Sequence, residues 1–123
     1  MRMEGLRDRT KQFALRVVRL FASLPPMPTT DVIGKQLLRS GTSVAANFRE
    51  ASRARSSAEF AAKLGIVEQE LDETQLWLEL LMEGDIVPRE KLQNLHAECD
   101  ELLRIVVSSI RKTKAASRLK RDK

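Results

Sequence analysis

His96 and Cys99 stand three residues apart, so on a helix they share a face. They are the chain's only His and only Cys, and a zinc site wants three or four ligands. Paired iron in a helical bundle is held by Glu-x-x-His on two helices, but the residue three before His96 is Gln93. A Cys–His nucleophile lacks a third group to orient the imidazole. Gly34-Lys35 lacks the glycine-rich run that makes a phosphate loop. Trp77, in a Leu-rich stretch, reads as a packing anchor. These residues predict no metal, no cofactor and no enzyme.

The other polar groups are concentrated in "LLRSGTSVAANFREASRARS", Leu37 to Ser56, which has a core-sized apolar set crowded with small and polar residues. At about 100° per residue, Leu37, Gly41, Val44, Ala45, Phe48 and Ala51 form one face, the predicted core. Beside it runs a stripe of Ser40, Ser43, Asn47, Glu50 and Ala54, then a third of Arg39, Thr42, Ala46, Arg49 and Arg53. Small residues let a neighbouring backbone approach, and Ser or Asn can then hydrogen-bond across the gap. Arg39 and Arg53 are placed to pair with an acidic helix, another subunit or phosphate.

The elements that must position these groups are legible from periodicity. Leu6, Phe13, Val17, Leu20 and Leu24 mark a first helix over 5–24, ended by Pro25, Pro26 and Pro28. A second runs to about Arg55 from a cap at Thr29 or Thr30, with Gly34 and Gly41 inside it for a packing reason. Ser56 and Glu59 form a capping box for a third. Its seam of Phe60, Leu64, Val67, Leu71, Thr74, Leu78 and Leu81 alternates steps of four and three until Gly84. The fourth starts near Pro88 and carries Leu92, Leu95, Cys99, Leu102 and Val106, flanked by Leu103 and Ile110. Four amphipathic helices with short connections predict an all-α, antiparallel up-and-down four-helix bundle. The bundle domain spans 1–112, and 113–123 reads as a basic, frayed tail.

Composition agrees, with 42% hydrophobic and 32% charged residues, four Phe, one Trp and no Tyr. No apolar run approaches the roughly 18 residues of a membrane span, and "MRMEGLRDRT" lacks the apolar core of a secretory signal. With a single cysteine, the reading is a cytoplasmic protein with no membrane partner. Net charge is +5, unevenly spread: residues 58–87 carry −7 and every flanking segment is positive. An anionic partner, or contact between copies, would account for that pattern.

The run Arg39 to Leu81 resembles a known family of four-helix bundle proteins, the 23S rRNA intervening-sequence proteins. Its hallmark, Arg-Ser-x-x-Ser-x-x-x-Asn-x-x-Glu, is matched by Arg39, Ser40, Ser43, Asn47 and Glu50, and Glu70 and Glu73 stand for the acidic motif that follows. Ala51 departs from it, since many members have Gly there. The resemblance implies a homopentameric ring around a central channel. It also implies kinship with accessory proteins of diversity-generating retroelements, which are held to bind nucleic acid and a reverse transcriptase.

Two functions follow as expectations. The first is nucleic-acid binding, RNA before DNA, by a homo-oligomer. The groups expected to contact phosphate are Arg16 and Arg19 of helix one, with Arg7, Arg9 and Lys11 beside them; Arg39, Arg49 and Arg53 of helix two; and Lys114, Arg118, Lys120 and Arg121 of the tail. Phe13 and Phe48, the aromatic residues among these clusters, are predicted core, so base stacking is not expected. The alternative is a protein-interaction adaptor or scaffold using the acidic residues of helix three, Glu68, Glu70, Asp72, Glu73 and Glu79. Binding nucleic acid requires basic groups from several helices to converge on one surface. An adaptor would expose an apolar patch.

Overall fold

The protein's structure, a computed structural model, describes residues 4–121; Lys123 of the predicted tail lies outside them. Four helices follow in order: α1 (Glu4–Ser23), α2 (Pro28–Ser52), α3 (Ser57–Glu83) and α4 (Arg89–Arg121). Each helix packs on its chain neighbours, and α4 returns to meet α1 along a thinner seam. Partner residues run in opposite senses along adjacent helices. Ser40 meets Thr74 and Glu50 meets Lys63 between α2 and α3, while Gln75 meets Asp100 and Glu79 meets His96 between α3 and α4. The architecture is the expected antiparallel bundle.

The predicted stripes form the core. Leu6, Phe13 and Val17 of α1 are buried, and Thr10 fills the step between Leu6 and Phe13 by returning its hydroxyl to the Leu6 carbonyl at 2.7 Å. From Leu64 to Leu81 every predicted seam position of α3 is fully buried, and Phe60 is half-buried at its start. The α4 stripe behaves alike, with Ile105 added to the buried set.

The two interior glycines of α2 have the packing reason their cost implied. A Cβ on Gly41 would lie 2.7 Å from Val17 Cγ1, and one on Gly34 would lie 2.9 Å from Leu24 Cδ1. Both mark where α1 and α2 approach most closely.

Helix ends depart from expectation in two places. α2 is not capped by Thr29 or Thr30. Met27, in extended backbone, is its N-cap without a side-chain bond, and Pro28 occupies the first turn, where the absent N–H removes nothing the helix needs. Thr30 is instead buried, its hydroxyl without a partner among the described residues.

The larger departure is at the other end of the chain. α4 does not stop near residue 112 but stays helical to Arg121. Reading those residues as a charge run overlooked that Lys, Ala, Leu and Arg are good helix formers. Arg118, Lys120 and Arg121 also sit in the last turn, where the negative end of the helix dipole favours cations. Ser56 caps α3 as expected, accepting the Glu59 N–H at 3.1 Å, while the Glu59 carboxylate reaches back to the Arg55 N–H at 3.0 Å.

Candidate functional site: a polar seam and a basic end

The α2–α3 seam holds most of the motif residues. Arg39, on α2, donates to Glu70 Oε2 at 3.0 Å and to Glu73 Oε1 at 2.7 Å, gripping two carboxylates one turn apart on α3. Glu70 is only 8% exposed, so its charge relies on that guanidinium. Beneath the clamp, Ser40 is fully buried and its Oγ lies 2.8 Å from Thr74 Oγ1, which also bonds the Glu70 carbonyl. Farther along, Glu50 accepts from Lys63 at 3.4 Å. Asn47 crosses to no other helix and donates to the Ser43 carbonyl within α2 at 2.9 Å. The small and polar stripe thus lets α2 and α3 approach over a hydrogen-bonded layer that hydrophobic packing alone would not supply.

Outside the clamp, this face carries exposed apolar groups: Val32 of α2, with Ile66, Leu76 and Leu80 of α3. Sequence periodicity, tuned to the core, did not single them out.

His96 and Cys99 do not act on one another. His96 Nε2 lies 2.8 Å from Glu79 Oε2 on α3, whereas the buried Cys99 thiol donates to the Leu71 carbonyl at 3.2 Å. Burial pushes the thiol up to about 12, with Asp100 and nearby carboxylates adding to the shift, so it stays protonated and unreactive. Among the described residues no group of three or more His, Cys, Asp and Glu is placed to hold a metal ion. Trp77 packs half-buried against the core, its indole N–H without a partner among the described residues.

The predicted basic residues divide by position. On the bundle's sides, some cations are paired: Arg9 makes two bonds to Glu98 and one to Glu101, and Arg104 pairs with Asp100. The Glu98 hydrogen bonds raise the Arg9 pKa further, fixing its charge. Arg16 and Arg19 lie at the end where α3 turns into α4, in a cleft with Lys91 and an apolar floor of Leu20, Leu24 and Leu92.

The opposite end is where α2 turns into α3 and where α1 starts and α4 finishes. There Arg7 of α1, Arg53 and Arg55 of the α2–α3 turn and Lys112 of α4 line one cleft of about 890 Å³. Its walls include Phe48, Ala51, Phe60, Thr113 and Ala116, and among the described residues no Asp or Glu lines it. None of the four cations has an acidic partner among the described residues, and Lys114, Arg118, Lys120 and Arg121 continue the basic surface along α4. Arg49 lines an adjoining depression with Arg53 and Arg55, where Glu50, Glu59 and Lys63 are also present.

Sequence patterns do not single out Arg55 or Lys112. Arg7 and Lys112 meet only because α1 and α4 run antiparallel, and Phe60 is left half-exposed only because the seam frays at the start of α3.

The chain is a four-helix bundle joined through a polar second helix, with part of its ionic groups used in pairs between helices. A family model described as 23S rRNA-intervening sequence protein matches residues 6–108, and the chain belongs to that family. The match stops before the last turns of α4. Among solved structures, a protein of unknown function of the S23 ribosomal protein family from Bacteroides thetaiotaomicron VPI-5482 is 38% identical, with a TM-score of 0.83. The similarity covers 90% of this chain and 99% of that one. No curated protein matches. Among the described residues, no helix is long and apolar enough to cross a membrane.

Proposed function

We propose that this protein is a non-enzymatic, self-associating bundle that binds nucleic acid, RNA in preference to DNA, through its basic end. The observation that carries the reading is the convergence of cations from α1, the α2–α3 turn and α4 on one cleft where, among the described residues, they have no acidic partner and no carboxylate joins the lining. Cations left without acidic partners among the described residues, in contrast to Arg9, Arg39 and Arg104, are suited to phosphate. Such contacts give affinity with weak sequence preference.

Self-association is supported by the exposed Val32, Ile66, Leu76 and Leu80 around the Arg39 clamp, an apolar face of the kind a second copy would cover. By analogy with the family, the assembly proposed is a ring of five, and a reverse transcriptase is proposed as a protein partner on the same ground. The adaptor reading is less well served, because Glu70 and Glu73 are held by Arg39 and Glu79 by His96.

The test is binding of nuclease-treated protein to a labelled structured RNA over a salt series. Micromolar or tighter affinity, falling linearly in log salt, is the expected result. Absence of binding at low salt would refute it and return attention to the exposed apolar face.

A further inference from the structure

The basic cleft is more than a patch of charge. Its rim is cationic, yet its lining includes the buried Phe48 and Ala51, the half-buried Phe60 and the exposed Ala116. A surface that only steers a duplex needs cations and no cavity. Paired bases are stacked inside a helix and cannot reach an apolar floor. The cleft, about 890 Å³ and open to solvent, has room to receive a small ligand. Its chemistry, an aromatic and methyl floor under a cationic rim, matches one nucleotide in its two parts.

We infer that the cleft receives a single unpaired nucleotide of the bound RNA. The base enters against Phe60 and Ala116, and its flanking phosphates meet Arg53, Arg55 and Lys112. The inference rests on the nucleic-acid reading and deepens it, since it names the part of the strand that is recognised. Three features support it together. The four cations come from three separate parts of the chain and lack acidic partners among the described residues. Among the described residues, none that lines the cleft would repel phosphate. The first turn of the 27-residue α3, whose Ser57 lines the cleft, adds the positive end of a helix dipole. Stacking of a base on an aromatic ring is tolerant of sequence, so a preference for unpaired over paired nucleotides is expected without strong base selectivity.

The experiment compares two labelled RNA hairpins of one stem sequence, one fully paired and one with a single-nucleotide bulge. The full-length protein is used at fixed salt. The bulged RNA should bind on the order of 10-fold more tightly, as one stacked base contributes. Ala116→Trp, at an exposed position of α4, fills the cleft. It should abolish that preference, with the thermal midpoint confirming the fold. Ser52→Trp fills the cleft from α2 and should do the same, which guards against a local defect of one variant. Equal binding of the two hairpins by the unaltered protein overturns the inference and leaves the nucleic-acid reading intact. So does a preference that survives both substitutions. Binding to neither hairpin overturns both.

Discussion

Arg39 and Arg53 fall on the same stripe of the second helix, yet they end in opposite circumstances. Arg39 lies across from Glu70 and Glu73 and holds both. Arg53, at the C-cap of α2, lies where the chain turns into α3 and, among the described residues, pairs with no carboxylate, although Glu50 and Glu59 line the depression beside it. The acidic run of α3 becomes dense only from Glu68 onward, so the first turns of that helix face α2 with Glu59 as their acidic group. The contrast shows that a stripe of arginines has no single role. Its role at each level of the bundle is set by what the antiparallel neighbour presents there.

That comparison can be broken most directly at the basic end. Replacing Arg53, Arg55 and Lys112 together by alanine removes up to three phosphate contacts. RNA affinity at physiological salt should fall on the order of 100-fold, with the log–log salt slope shallower by roughly three. Stability in a denaturant titration should stay within about 0.5 kcal/mol, as for exposed positions away from special features. A loss of stability with affinity unchanged would mean that these cations serve the fold.

The reverse pattern is expected at the seam. Arg39→Ala leaves the buried Glu70 carboxylate without its partner and should reduce stability by about 1–3 kcal/mol, with RNA affinity within about twofold of the unaltered protein. The half-exposure of Arg39 keeps the figure below that of a fully buried pair. Affinity falling as far as with the triple substitution would erase the distinction between the two regions.

Two glycines sharpen the comparison with a smaller effect. Gly41→Ala drives a Cβ to 2.7 Å from the stiff Val17 side chain in the tight body of the bundle, and about 1–2 kcal/mol should be lost. Gly65→Ala, near the basic end on α3, meets nothing within 4 Å and should add up to about 1 kcal/mol through helix propensity. The opposite signs, read from thermal midpoints, would confirm that the bundle is close-packed at α1–α2 and open where α3 begins. Two losses of equal size would show that the open end is packed as well.

Much of the fold was legible because burial obeys a simple period. The α3 seam from Leu64 to Leu81 and the α4 stripe from Leu92 to Val106 are the buried residues that spacing names. Even the need for Gly41 was visible, since a glycine inside a helix is costly unless something lies close. What period could not reveal was the true length of α4. A charge run hides helix propensity from a reading based on apolar spacing. The cap of α2 was also misplaced, because Pro28 could either end one helix or begin the next and only the chain's path selects between them.

The site was legible in part. Ser40, Asn47, Glu50 and Arg39 stood out by their types and spacing, but their partners did not. Thr74 looked like a seam residue and became the hydroxyl that meets Ser40. The cleft at the basic end was not legible, because Arg7, Arg53 and Lys112 share no local pattern.

The sequence by itself determined four amphipathic helices, their order and the residues that must be buried, because those depend on periods of three and four within one segment. Which arginine is gripped by carboxylates and which stands free over an aromatic-lined cleft was decided only by the tertiary structure. Pairing of charges depends on the register between antiparallel helices, and that register brings together residues separated by as much as the distance from Arg7 to Lys112.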